Sequence, residues 1–456
     1  MIRTKMALSR SVSVRFPRLW HAPASALILW VCLWLNLNTG FWNIQSPSSA
    51  DDWQLLIRAL LPFAVLPAAG LLLLGGRTPQ FPRNAPSCLL MAYGAIATLA
   101  AIFSPEPLWS LYWSMTFLAT ILVAWAFVDR RDPVESARQL LQVTWVATFI
   151  VAAILAYQAR NSLFGDATSA YGGVMGDLGG LSRSSGVARW AAVPGLVCLV
   201  RAYHSRHPSL IAFFLGVAAV SFYIVYRMQS RGAVFGSVAA LLFALLISSR
   251  MRRYALPYAA VAIVVILLLG SPNNLMSQIT TYLERGQTRE AFISMTGRTR
   301  AYEHGLVAFR DAPLFGRGQR ADRLVIGEHV HNSYLQALLN GGIFGAIPYV
   351  ASWVVGWMLF FRLHKIGARL SPEDRVCVLE AGTVMMFFTV RAIPETTTAS
   401  FAVDLLVMVA VYVYLECLTI QMKSKRLRQP VHALYAVPSW INTSGGPARV
   451  EAYREI

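Results

Sequence analysis

Charge is what this sequence has least of. Only 14% of its 456 residues are Asp, Glu, Lys or Arg, where an average soluble protein carries roughly 25%. Lysine is nearly absent, with Lys5, Lys365, Lys423 and Lys425 the full set. Cysteine is sparse too: Cys32, Cys88, Cys198, Cys377 and Cys417 stand singly within or beside apolar runs, with no CxxC pair. That spacing excludes a disulfide framework and a zinc knuckle. The apolar residues are not broken into short amphipathic pieces, which excludes a single soluble globular domain. Neither an internal repeat nor a duplicated pair of broken hydrophobic segments is present, so the patterns of a solenoid and of an inverted-repeat transporter are missing as well.

What fills the space is hydrophobic sequence, 56% of the chain. A membrane-crossing helix needs about 20 mostly apolar residues. Twelve runs qualify: 22–41, 54–74, 86–103, 108–128, 140–157, 187–203, 208–226, 231–249, 254–270, 335–361, 376–393 and 400–420. The expectation is an all-α polytopic membrane protein of about twelve spans. It divides into a cytoplasmic N-tail (1–21), nine spans (22–270), a large outer loop (271–334), three further spans (335–420) and a cytoplasmic C-tail (421–456). The basic N-tail resembles the start of a signal peptide, but no small-residue cleavage site follows, so the first run is read as an uncleaved anchor.

The formal charge of +18 would suggest nucleic acid in a soluble protein. Here the positions of the charges give another reason. With the N-terminus inside, 25 of the 40 Lys and Arg residues fall in the tails and short inner loops, as membrane orientation demands. Nucleic-acid binding is not needed as an explanation. The basic C-tail, with Lys423, Lys425, Arg426 and Arg428, suits contact with anionic headgroups.

The other 15 basic residues lie at or near the outer side, and all are arginine. A planar guanidinium grips phosphate oxygens in a fork and keeps its charge. Arg189 and Arg231 open spans, Arg227 precedes Arg231 by one turn, and Arg317 sits on the turn Gly316–Gly318. Arg391 closes a span with Glu395 and Asp404 nearby. Charge at such depth is costly unless it is paired or lines a wet cavity. For Arg391 a structural ion pair with Glu395 or Asp404 stands beside a ligand-binding role. For Arg231 ligand contact is the favoured reading.

Within the long loop, 299–310 reads as a helix with Tyr302, Leu306 and Phe309 on its apolar face, stopped at Asp311-Ala312-Pro313. His331 lies just before the 335–361 span. A helix N-terminus beside an imidazole brings together anion attraction and proton transfer, though an interfacial surface histidine has the same spacing. His329 makes an HxH pair with it, but no third ligand follows at metal-binding spacing. Asp51-Asp52 reads as a solvated acidic loop. No metal and no cofactor are expected.

These residues carry a resemblance. SRGA (230–233), Gly297-Arg298, PLFGRG (313–318) and HNSYLQALLNGGIFG (331–345) together resemble the O-antigen ligase and polymerase family of bacterial membrane glycosyltransferases, over about 180–410. The His-Asn-x-x-Leu string with its Gly-x-x-Gly continuation is the most specific part, and SRG alone is weak. The resemblance implies a GT-C-like helical bundle in the bacterial inner membrane. A large periplasmic loop would cap an outward cavity, and both termini would be cytoplasmic. It implies a glycan on undecaprenyl pyrophosphate as donor, a sugar hydroxyl or lipid A–core as acceptor, other polysaccharide-assembly proteins as possible partners, and metal-free inversion at the anomeric carbon.

His331 would be the essential histidine, with Arg231 and Arg298 on the pyrophosphate. Arg183 in RSSG (183–186), Arg317 and Arg391 are further pyrophosphate candidates, and Asn332, Glu395 and Tyr302 are supporting residues. Tyr302 stands where the family usually has Trp. RAIPE (391–395) is similar to a string of exopolysaccharide polymerases, which favours a polymerase over a ligase. A branch that glycosylates proteins and a lipid-linked sugar transporter remain alternatives.

Overall fold

The computed structural model of the protein describes residues 24–37, 52–75, 81–164, 184–253 and 298–428, together with 277, 280 and 282. Among the described residues there is no strand, and the structure is built of helices. They are α1 (Ala24–Leu35), α2 (Asp52–Leu74), α3 (Pro86–Ala100), α4 (Pro107–Phe127), α5 (Pro133–Gln158), a short α6 (Arg160–Phe164) and α7 (Ser184–His204). Then come α8 (Pro208–Arg227), α9 (Arg231–Ile247), α10 (Arg298–Arg310), α11 (Ser333–Lys365), α12 (Pro372–Arg391) and α13 (Val403–Arg428). Proline stands in the first turn of α3, α4, α5, α8 and α12, where its missing N–H costs nothing and its fixed φ suits the helix.

Among the described residues six helices are long and apolar enough to cross a membrane: Pro86–Phe103, α4, α5, α8, α11 and Val403–Ser424. The chain is an α-helical polytopic membrane protein. Of the other expected spans, α1, α9 and Ala59–Leu74 are shorter apolar helices. The expected runs at 187–203 and 376–393 are α7 and α12, while the run at 254–270 lies outside the described residues. At the centre stands α13, whose membrane-length window is 94% buried. A helix apolar on every face has to be covered on every face, and α3, α4, α5, α11 and α12 cover it.

The expected span at 335–361 is not one continuous helix. At Gly342 the backbone takes φ 60 and ψ −161, which breaks the hydrogen-bond ladder in two. The PLFGRG turn fills the break as a splint. Pro313 and Leu314 carbonyls accept from Ile343 and Phe344 N–H at 2.8 and 3.2 Å. Arg317 and Gly318 N–H donate to Leu339 and Asn340 carbonyls at 2.9 Å each. Four backbone groups at the break are thereby satisfied, as non-helical backbone at membrane depth requires. The two segments touch so closely that a Cβ on Gly342 would lie 2.2 Å from Leu314 backbone atoms.

Helix α10 forms where expected, but its buried face differs. Ala301, Gly305 and Ala308 face inward, and Leu306 is half exposed. Gly305 meets Leu335 at a distance that leaves no room for a Cβ. Close approach of α10 to α11 therefore selects the small residues and turns Leu306 away.

At the end of the bundle opposite His331, charges counted from sequence as inner-loop residues are built into helices. Arg201, in the last turn of α7, binds the fully buried Glu380 of α12 at 2.7 Å, and Trp145 donates to the same carboxylate at 3.0 Å. Arg138 of α5 binds Asp374 at 2.8 Å and also pairs with Glu135, and the Tyr414 hydroxyl reaches Asp374 at 3.0 Å.

A candidate active site around Glu395

The site is assembled where α11 begins and α12 ends. The Asn332 side chain caps α11, accepting from the N–H groups of Tyr334 and Leu335 at 2.9 Å each. Capping of this kind satisfies donors the helix leaves unpaired. Its amide donates to the Ile393 carbonyl at 3.0 Å, and Ser333 N–H donates to the Ala392 carbonyl at 3.0 Å. The Ser333 hydroxyl donates to the Glu395 carbonyl at 3.0 Å and accepts from Thr397 N–H at 2.7 Å. The turn 392–397 is thus stitched to the helix start, and His331 and Glu395 face each other across the seam.

Glu395 ties two of the expected residues together. Its Oε1 accepts from Arg298 at 2.7 Å, and its Oε2 lies 3.1 Å from His331 Nδ1. Arg298 also donates to the Pro394 carbonyl at 2.6 Å. Burial by itself would push the Glu395 carboxyl up. The hydrogen bond from His331 and the charges of Arg391 and Arg298 outweigh it and hold the group well below the usual carboxylate range. An ionised Glu395 fixes the proton of His331 on Nδ1 and leaves Nε2 with its lone pair outward. The His331 backbone has φ 48, a conformation that costs a non-glycine residue about 1–3 kcal/mol and persists where surroundings over-determine it.

Arg231 opens α9 beside this seam. A Cβ added to its neighbour Gly232 would lie 3.5 Å from Pro394 and 3.7 Å from Glu395. Below them, Arg391 pairs with Asp404 rather than with Glu395, at 3.1 Å, and Arg189 reaches the same Asp404 oxygen at 3.1 Å. Asp404 is fully buried and Arg391 nearly so. The ion-pair role weighed for Arg391 is therefore the one its geometry supports. Arg189, Arg298 and Arg391 share two carboxylates, so guanidinium outnumbers carboxylate in these pairs.

Three further expected residues are Arg317, Arg183 and Tyr302. Arg317 donates its backbone N–H to the Leu339 carbonyl, eight residues or about 12 Å along the chain direction of α11 from His331. Arg183 lies outside the described residues. Tyr302 offers its hydroxyl to the His331 and Ile393 carbonyls at 3.3 and 3.4 Å, long contacts that fit packing. Sequence reasoning missed Asp322, whose Oδ2 lies 2.5 Å from His329 Nδ1; an acid seven residues ahead of the histidine was the available signal. Among the described residues no group of three or more His, Cys, Asp or Glu side chains is placed to hold a metal ion.

At one end of this helical membrane bundle an imidazole and a guanidinium thus share the carboxylate of Glu395, with two more arginines on Asp404. Residues 211–350 match the family model described as O-antigen ligase, the family that the motifs resemble. The matched stretch contains Arg231, Arg298 and His331; Glu395 lies beyond it. No curated protein matches the chain.

Proposed function

We propose that the protein is a membrane glycosyltransferase that moves a glycan from undecaprenyl pyrophosphate to a sugar hydroxyl. The single observation that carries this reading is Glu395, which holds Arg298 and His331 on its two oxygens. It places a phosphate-binding group and a proton acceptor side by side. As the bond between sugar C1 and the pyrophosphate oxygen breaks, negative charge grows on the leaving group. Arg298 and Arg231 stabilise it, the kind of preorganised electrostatic effect that usually dominates catalysis. The attacking hydroxyl passes its proton to His331 Nε2, and attack opposite the leaving group inverts the anomeric centre. Arg391 and Arg189 contribute through their excess charge over Asp404. The site faces the periplasm, the outer side by the distribution of basic residues.

The RAIPE turn that supplies Glu395 is similar to that of exopolysaccharide polymerases, so polymerisation of lipid-linked repeats is the reading favoured here. The description of the matched family favours the second reading, transfer of a finished chain to lipid A–core. The test is His331→Ala, inserted normally in the membrane, in a strain deleted for the wild-type protein. Loss of a proton acceptor lowers the rate by about 10²–10⁴, so long-chain product should vanish. Short unpolymerised repeats then indicate a polymerase, and free long lipid-linked chains with bare core a ligase. Long-chain product at the wild-type level rejects the assignment.

A further inference from the structure

Beside His331 stands a second imidazole for which the mechanism above has no use. The rings of His329 and His331 lie with centroids 4.6 Å apart and planes at 63°. Each is pinned in the same way, through Nδ1 on a carboxylate: His331 on Glu395 at 3.1 Å and His329 on Asp322 at 2.5 Å. Both side chains are partly open, 24% and 20% exposed.

Considerable structure is devoted to holding His329. Asp322 is fully buried, a costly position for a carboxylate unless donors satisfy it. Besides His329 it accepts from Gln336 Nε2 at 3.0 Å and, at 3.4 Å, from Val330 N–H. Gln336 continues to Asn340 at 2.8 Å, and Asn340 donates to Tyr93 and Gln319 at 2.9 and 3.1 Å. The network runs inward through α11 to α3, and its one partly open member on this side is the imidazole.

The arrangement decides the chemistry of His329. Burial favours the neutral acid for Asp322, but the hydrogen bond and charge of His329, the charge of Arg320 and the hydrogen bond from Gln336 together outweigh it and keep the carboxyl below its ordinary range. Burial also lowers the His329 imidazole below its ordinary value, against the pull of Asp322. An ionised Asp322 accepts the Nδ1 proton of a neutral His329, so Nε2 is a hydrogen-bond acceptor. An acceptor repels phosphate oxygens and binds hydroxyls. Two such acceptors stand side by side, and the structure assigns them different partners from the arginines.

Resting on the glycosyltransferase reading, we infer that His329 is a specificity-determining residue of the acceptor subsite: while His331 takes the attacking hydroxyl, His329 accepts a hydrogen bond from a second hydroxyl of the same sugar. The ligand class is a saccharide with two hydroxyls close enough to meet both rings.

The test uses the full-length protein in detergent, with lipid-linked glycan extracted from the deletion strain as substrate. His329→Phe keeps an aromatic ring in place and removes the acceptor, and His329→Asn keeps a shorter one. A neutral hydrogen bond contributes about three- to tenfold, so His329→Phe should raise KM by roughly that factor, with the loss falling on KM rather than kcat. His329→Asn should recover part of it. Loss confined to kcat, no change in either constant, or loss of both with a lowered Tm overturns the inference, the last because it marks a packing role. Failure of the wild-type protein to form a glycosidic bond would instead reject the underlying function.

Discussion

The two ends of the helical bundle are both charged, yet they treat charge differently. At the end away from His331, carboxylates outnumber their cations: Arg201 sits on Glu380, and Arg138 meets Asp374, Glu135 and Glu373. Aromatic donors from Trp145 and Tyr414 complete the acids. At the His331 end, Asp404 serves two arginines and Glu395 serves an arginine and a histidine. Both guanidiniums there are taken up by carboxylates that tie helices together. Excess guanidinium at a partly open site asks for an anion, which is the electrical form of a binding site.

The largest expected break in this contrast comes from neutralising one acid at each end. Glu395→Gln releases His331 from its fixed tautomer and leaves Arg298 without its carboxylate. Turnover should fall about 10²-fold, within the range for impaired proton transfer, while the protein remains folded. Glu380→Gln should do the opposite, lowering Tm and leaving turnover per folded molecule close to wild type. The pair of measurements is melting in detergent and product formed per folded enzyme. Equal losses of activity in both variants would erase the distinction between the ends.

A smaller effect sharpens it. Arg201→Met leaves the fully buried Glu380 with no guanidinium, and breaking a buried pair in this way costs about 3 kcal/mol. Arg189→Met leaves Asp404 still held by Arg391 at 3.1 Å, so the loss should be nearer ~1 kcal/mol, the range of a single hydrogen bond. Denaturation of the two variants side by side checks the order. A greater loss for Arg189→Met would show that the second arginine is structural rather than surplus.

How much of this was readable in advance follows the range of the interactions. The helices were legible because burial in lipid writes itself into long local runs of sequence. So were His331 and Arg298, whose neighbours in the chain form recognisable strings. The buried pairs were not, because Arg201 and Glu380 are 179 positions apart and nothing local distinguishes a paired arginine from a loop arginine. The break at Gly342 was hidden for the same reason: its hydrogen-bond partners come from PLFGRG, and 335–361 reads as one apolar run. Glu395 was visible as a neighbour of Arg391. Its partners turned out to be Arg298 and His331, because α12 ends at Arg391 and the next residues turn back over α11.

The mildest prediction concerns pH and isolates Glu395 from the histidines. Its pKa in the folded protein is depressed from the ordinary 4.5, so the folded state favours the ionised form. Stability from these pairings is complete above about pH 4.5 and fades as pH falls toward the depressed value. The Tm difference between wild type and Glu395→Gln should therefore stay constant from pH 7 to about 5 and shrink only below that. A difference that already shrinks between pH 7 and 6 would mean that the charge state of Glu395 follows its histidine, and that the two groups titrate as one unit rather than as a fixed carboxylate beside a movable proton.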